Sequence, residues 1–390
     1  MNYILADGDT RNSLLPFTFT RPVAEIRVGI LTIAEKWEKH LGVEISYWTE
    51  DYLVQRFPLV TAADNVVINA AYLPNSTLKA KIGTLKNKQA LVFGDDIIAY
   101  RTNDVGEHFT VGAYDSIAYE DECMTIKNTW DIFSKNDEAL RADFELLTQG
   151  RKSQPISETN TIIGDAIFLE EGAQVEASIL NTTTGPIYIG RNALIMEGCI
   201  IRGGLALCDN SVLKMGAKIY GASTFGPYSK VGGEVNNAVL FAYSNKGHEG
   251  FLGNSVLGEW CNLGADTNTS NMKNNYAKVR LWDYRTEGFA HTGLQFCGLM
   301  MGDHSKAGIN TMFNTGTVVG VSANIFGSGF PRNFIPSYSW GGASGFTTYR
   351  TPKAFETAKA MMDRKGVGFD TTEQNILEHV FELTKRWRKD

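Results

Sequence analysis

Three histidines in the second half of the chain are the side chains best suited to move a proton near neutral pH. They are His248 in KGHEGFLGN, His291 at the end of a basic, aromatic stretch, and His304 in GDHSK. Imidazole has a reference pKa of about 6.5, so it can serve as a general base at working pH. Each can instead be a solvated or packed structural residue. Carboxylates that could hold a divalent cation occur twice, as Asp7 and Asp9 in ADGDTR and as Asp95 and Asp96 after the apolar run Leu91–Phe93. For the second pair a solvated turn is the competing reading. Five cysteines (Cys123, Cys199, Cys208, Cys261, Cys297) stand singly with no CxxC pair. They read as buried thiols of a reducing cytosol rather than as a disulfide framework.

The elements that must position these groups show themselves as a repeat. Stepping by six from Ile189 gives Ile195, Ile201, Leu207, Leu213, Ile219, Phe225 and Val231, bulky and apolar at every step. Four residues after each anchor stand Ala193, Cys199, Leu205, Ser211, Ala217, Ser223, Ser229 and Val235, mostly small. A weaker run precedes at Ile163, Leu169 and Val175, and a second follows at Met301, Ala307, Phe313, Val319 and Ile325. An α-helix cannot hold a six-residue period on one face, since six steps of about 100° overshoot a full set of turns. A solenoid of short flat strands can. Each hexapeptide forms one side of a coil, the large residue points inward, and the small one fits the corner. Glycine, Asn and Asp are expected at the turns, and Met300, Met301 and Met312 inside the solenoid. Between about Asn268 and Leu299 the period breaks, and NMKNNYAKVRLWDYRTEGFAH is expected to leave the solenoid as a functional loop.

The 390 residues exceed one ordinary core, which suggests two or three domains. With 43% hydrophobic and 21% charged residues the balance is that of a folded chain. A formal net charge of -6 argues against a general nucleic-acid partner. No apolar stretch reaches the roughly 18–20 residues that a membrane span needs, and no signal-peptide pattern opens the chain, so a cytoplasmic protein without membrane insertion is expected. Four regions follow. Residues 1–127 form an α/β domain, and 128–155 a helical linker with Ile132, Phe133, Leu140, Phe144 and Leu147 at helical spacing and Gly150 as its cap. Residues 156–344 form the solenoid. Residues 345–390 form a helical tail, with Thr351-Pro352 and Thr371–Glu373 as helix starts, Gly366 as a stop and the basic KRWRKD as a solvated end.

The six-residue frame resembles the hexapeptide-repeat acyltransferases, which implies a left-handed parallel β-helix. The opening YILADGDTRNSLLPFTFTRP resembles the sugar-nucleotidyltransferase motif, with Ala6, Gly8, Thr10, Arg11, Leu15, Pro16, Thr18 and Pro22 in register. That likeness implies a Rossmann-like domain with Gly8, Thr10 and Arg11 at nucleotide phosphates, and UTP and Mg²⁺ as cofactors if this half is active. Asp7 and Asp9 depart from it by placing negative charge where that family has small residues. VVINAAYLP (66–74) departs by lacking the metal-holding aspartate. The two halves together resemble the bifunctional GlmU family, and most closely a divergent branch with a shortened N-terminal half. The runs PFTFTRPVAEIRVGILTIAEKW and INTMFNTGTVVGVSANIFGSGFPRNFIPSYSWGG carry that likeness.

The GlmU resemblance implies acetyl-CoA-dependent N-acetylation of glucosamine-1-phosphate or a related amino-sugar phosphate, with uridylyl transfer from UTP as a second activity. It places His248 as the base and Asn262, fourteen residues later, at the substrate. It further implies Lys278 and Arg280 as phosphate contacts and Phe251 in the sugar pocket, where the family has tyrosine. Another family lysine falls on Asn236, so phosphate binding must be rebuilt from Lys246, Lys278, Arg280 or Arg285. Asn310, Thr315, Thr317 and His304 are expected along the acetyl-CoA arm, His304 also being the alternative base. The family's groove between adjacent β-helices implies a homotrimer. Other readings are a sugar-1-phosphate nucleotidyltransferase, a γ-carbonic-anhydrase-like lyase using His248, His291 and His304 but lacking that family's HxxxxH spacing, and an N-terminal half that is a silent binding or assembly module.

Overall fold

The computed structural model describes residues 1–106 and 113–388, so the last two residues of KRWRKD lie outside the described residues. The chain divides into two compact units, and the division is not a single cut. One comprises Met1–Leu14, Thr20–Ile26 and Leu31–Asn128, the other Leu15–Phe19, Arg27–Ile30 and Thr129–Asp390.

The first unit is an α/β body around a six-stranded sheet. Its order is Ser46–Trp48, Asn2–Ala6, Asn65–Asn69, Asp96–Thr102, Gln89–Phe93 and Asp115–Ala118, with Asp96–Thr102 antiparallel to both neighbours. Ile4, Leu5, Val66 and Ile68 are fully buried, as expected of central strands covered on both faces. Helix Ile33–Leu41 starts at a capping box in which Thr32 and Glu35 each accept the other's backbone N–H, and it ends at Gly42 in the left-handed conformation. LVFGDDIIAYR (91–101) forms a hairpin turning at Gly94 and Asp95, which leaves Asp95 and Asp96 exposed.

The second unit is a left-handed β-solenoid of about ten turns with helices at its C-terminal end. Its coils have three faces. The first stacks Thr161–Ile163, Ile179–Asn181, Ile200–Arg202 and Lys218–Tyr220; the second stacks Ile167–Leu169, Ile187–Ile189, Leu205–Leu207 and Ser223–Phe225. The third runs from Gln174–Val175 through Lys230–Val231, Asn245–Lys246, Asn262–Leu263 and Lys306–Ala307 to Ser339–Gly342. All these pairings are parallel. Residues stacked on one another stand 18 apart in the regular coils, three hexapeptides per turn. The anchors Ile189 through Val231 and Met301 through Ile325 all lie in one buried cluster.

Several expected positions move. Ile163 is 43% exposed because Ile162, not Ile163, pairs with the inward Leu180, and this end coil has no neighbour below it. Only Met301 joins the solenoid core; Met300 is buried on the opposite side of the same strand and Met312 is half-buried. At the corner before the third face the left-handed backbone is supplied by Asn192 and Asn210 in early coils, as expected, and by Tyr228, Tyr243, Trp260 and His304 in the coils that follow. The rings of these four form a ladder, with centroids 5.0 Å, 4.1 Å and 6.2 Å apart in turn. Packing between coils offsets the backbone cost. Elsewhere only glycine fits: a Cβ on Gly226 would lie 1.3 Å from the Phe241 carbonyl oxygen of the next coil.

The interrupting segment forms an antiparallel hairpin, Arg280–Asp283 with Gly288–His291. Trp282 stacks on Phe334 at 4.1 Å. Helices Asp131–Ser134 and Asn136–Thr148 precede the solenoid, and Thr351–Asp363 and Thr371–Leu383 follow it. The caps of the last two are Arg350 and Asp370, each one residue before the expected threonine.

Candidate functional site

His248 sits in the turn that leaves the third-face strand Asn245–Lys246 and enters Phe251–Leu257. Asn245 pairs in register with Asn262, one coil on, so the spacing between His248 and Asn262 is one coil less the three residues from Asn245 to His248. Both residues line a cavity of about 670 Å³. Its floor is the third face, where Lys230, Asn245, Asn262 and Lys306 stack as an outward column. Its far wall is helix Thr351–Asp363 and the turn after it, with Thr357, Met361, Arg364 and Lys365 facing inward.

Lys246 is the residue that holds the histidine turn. In register it occupies the inward anchor position next to Val231, where other coils carry an aliphatic side chain, and it is 2% exposed. Its ammonium donates to the His248 carbonyl oxygen. Burial, only partly offset by Glu249 and Asp266, pushes its pKa down to about 8. Lys306 is likewise lowered to about 8 by burial, and it donates to the carbonyl oxygens of His304 at 2.8 Å and Trp260 at 3.4 Å.

The structure brings together His248 and Asn262 and separates most of the other expected residues from them. Lys278 is exposed on the inserted segment and lines neither this cavity nor the next one described. Arg280 and Thr315 line a second cavity of about 690 Å³ with Phe289, Asn314 and Asn333. Arg285 is spent on Asp283 at 2.9 Å. Phe251 is half-buried, and Asn268 accepts its backbone N–H. Asn310 is exposed at a left-handed turn, while Thr317 is buried and donates to the Asn314 carbonyl at 2.8 Å. His304 is 4% exposed, with Nε2 3.1 Å from Glu373 and its ring on the corner ladder, and it does not line the His248 cavity. His291 pairs with Arg280 in the hairpin. Among the described residues no group of three His, Cys, Asp or Glu side chains is placed to hold a metal ion.

Sequence reasoning missed the cations that line the same cavity as His248: Lys214, Lys230, Lys306, Arg364 and Lys365. For two of them a signal existed. Lys230 and Lys306 each stand one residue before the inward anchors Val231 and Ala307, so the repeat frame itself aims them outward on one face.

The early loop belongs to the first unit. Thr10–Ser13 forms one helical turn, and Arg11 is 6% exposed. Its guanidinium donates to Tyr52 at 2.6 Å and lies 3.8 Å from Asp7 and 3.6 Å from Glu50. Asp7 accepts from the Val23 N–H at 2.7 Å and the Thr49 hydroxyl at 2.6 Å. Burial nevertheless pushes its pKa up to about 6. Gly8 is exposed with φ near +55°, and Thr10 is half-buried.

The molecule thus combines a sheet domain that opens on this loop with a hexapeptide solenoid that carries a histidine-bearing turn. Residues 3–152 match the sugar nucleotidyl transferase family. The chain is similar to the putative uncharacterized acetyltransferase YaiX of Escherichia coli, at 27% identity over 167 residues, covering 42% of this chain and 66% of that protein. It is also similar to bifunctional GlmU proteins. With that of Ralstonia pickettii it shares 23% identity over 237 residues, covering 51% of this chain and 46% of the relative. With that of Methanocaldococcus jannaschii it shares 32% over 89 residues, covering 22% and 21%. The chain thus spans two-thirds or less of the length of these relatives.

Proposed function

We propose that the protein transfers an acetyl group from acetyl-CoA to the amine of an amino-sugar phosphate, with glucosamine-1-phosphate as the first acceptor to test. The observation that carries this reading is the convergence of His248 and Asn262 on one cation-lined cavity. Acetyl-CoA supplies an activated thioester. The acceptor amine must lose a proton as its nitrogen bonds to the carbonyl carbon and the carbon–sulfur bond breaks. His248 Nε2 or Nδ1 takes that proton and returns it to the departing sulfur. The Asn262 amide offers N–H donors to the oxygen on which charge develops, and Lys246 fixes the turn from below. Acyl transfer of this kind needs no covalent enzyme intermediate, and all five cysteines are free, four of them buried. Free thiols support a cytoplasmic setting, and no described helix is long and apolar enough to cross a membrane. A homotrimer is the assembly we propose, on the likeness to GlmU.

The test is thiol release from acetyl-CoA with glucosamine-1-phosphate, on wild type and His248→Ala. His248 is exposed, so the variant should fold and keep the wild-type mass in solution while losing at least about 100-fold in kcat. Unchanged turnover in the variant sinks the assignment of the base. The family match at residues 3–152 favours a second reading, uridylyl transfer from UTP with Mg²⁺ by the first unit. Arg11, tied to Tyr52 and set beside Asp7 and Glu50, weighs against it. UTP-dependent pyrophosphate release decides between an active and a silent N-terminal half.

A further inference from the structure

The His248 cavity collects Lys214, Lys230, Lys306, Arg364 and Lys365 around one opening, with no carboxylate among its described lining residues. The chain as a whole carries a net charge of -6, so this is a local reversal of sign. Like charges gathered on one wall repel, and such an arrangement costs stability unless an anion meets it. Burial first, and then the neighbouring Lys230 and Arg364 charges, hold the Lys365 ammonium below its ordinary pKa.

The cations come from two elements that are far apart in sequence. Lys214 and Lys230 project from successive coils of the third face, where Lys214 follows the strand residue Leu213 that pairs with Val231. Arg364 and Lys365 follow helix Thr351–Asp363, and Lys365 is anchored by donating to the Tyr228 carbonyl at 2.9 Å. Lys306 lies deeper, with its donors directed at backbone carbonyls. The lysines and the arginine are thus held on both sides of a gap that opens at His248.

We propose that this gap is a phosphate-binding site, built jointly by Lys214 and Lys230 of the solenoid and Arg364 and Lys365 of the C-terminal segment. Its ligand is a phosphate ester or diphosphate carried by one of the two substrates. The inference rests on the acyl-transfer reading for the role of the ligand, and on the cavity alone for its charge. The phosphate of the acceptor and the phosphates of the acyl donor share this chemistry, and kinetics can separate them.

The experiment titrates inorganic pyrophosphate into the full chain at fixed ionic strength, by calorimetry and by the shift in Tm. It compares wild type with Lys214→Gln/Lys230→Gln and with Arg364→Gln/Lys365→Gln. Glutamine keeps an N–H donor for the Tyr228 carbonyl, and a circular-dichroism melt without ligand controls for folding. Saturable binding by wild type, weakened at least about tenfold in each double variant, is the expected result, because each pair removes two charge-assisted contacts. No binding by wild type, or undiminished binding in the helix-side variant, overturns the proposal. Where acetyl transfer is measured, a rise in KM for acetyl-CoA alone assigns the site to the donor, and a rise for the amino-sugar phosphate alone assigns it to the acceptor. Pyrophosphate binding that depends on both pairs in a protein without acetyl transfer would leave the anion site standing and remove the acyl-transfer reading.

Discussion

Lys246 is where the solenoid departs most sharply from its own rule. Every sixth residue is expected to be apolar, yet a lysine stands in the inward column and remains 2% exposed. An ammonium in that position is tolerated only because it has an acceptor, the carbonyl oxygen of His248. Its pKa, lowered from 10.5 to about 8, makes the charge a stability cost. With the folded value depressed, the unfolded chain holds more protons between about pH 8 and 10.5, so stability rises with pH across that window. The full effect is on the order of 3 kcal/mol. Lys246→Met removes both the charge and the tie. The variant should be at least as stable at pH 7, should lose the part of the slope between pH 8 and 10.5 that wild type shows, and should lose kcat about tenfold or more as the His248 turn loosens. Urea midpoints across pH, together with kcat, check it; an unaltered pH slope would place Lys246 elsewhere. The sequence did not reveal this role, because the coils around residues 234–257 shorten from 18 residues to 17 or fewer, and a strict six-residue step loses register there.

At the scale of elements, the period identified flat coil sides and an inward stack, but not what the small corner residues do. Ser211, Ser244 and Ser305 each donate to a carbonyl at the next corner, to Gly226 at 2.8 Å, Gly258 at 2.7 Å and Gly320 at 2.6 Å. Each also accepts a backbone N–H from the coil above: Ser244 from Cys261 at 2.9 Å, Ser305 from Ala323 at 2.9 Å. The hydroxyl thus closes a gap in the ladder where the corner bends the strands apart, and small size is only half of its purpose. Ser244→Ala, in a fully buried site, leaves the Cys261 N–H and the Gly258 carbonyl short of a partner. A loss of about 1–3 kcal/mol is expected, read as a lower urea midpoint with an unchanged m value. Ser244→Cys should recover little, because a thiol is a weak donor and acceptor. The aromatic corner ladder was equally hidden: spacing marks a corner, but tyrosine, tryptophan and histidine at positive φ are unusual enough that no pattern anticipates them. It is this ladder that takes His304 away from the site.

For the whole molecule, the division into two units is not one cut along the chain. Pro16 and Thr18 fit a nucleotide-loop motif, and a motif carries no information about which body a segment packs against. Leu15–Phe19 and Arg27–Ile30 belong to the solenoid unit. Phe17 packs against Phe241 with centroids 5.3 Å apart, and Phe19 meets Tyr284 edge-on at 5.3 Å. The Gly29 N–H donates to Asn136 at 2.7 Å, the Ile30 N–H to Asp143 at 2.7 Å, and Thr224 donates to the Gly29 carbonyl at 2.8 Å. Asn136 and Thr224 are fully buried. A fragment cut at residue 129 therefore uncovers Phe241 and takes partners from Asn136, Asp143 and Thr224 at once. Each lost buried hydrogen bond costs about 1–3 kcal/mol, and uncovering a phenylalanine adds about 1.5–3 kcal/mol. The sum is comparable with the net stability of a domain, about 5–15 kcal/mol. The fragment 129–390 should accordingly bind a hydrophobic dye and melt well below the whole chain. A peptide of residues 13–31 added in trans should raise its Tm in a saturable way, and the same peptide with Phe17→Ala should do so far less. A fragment as stable as the intact protein, indifferent to the peptide, would show that the two segments merely rest on the solenoid.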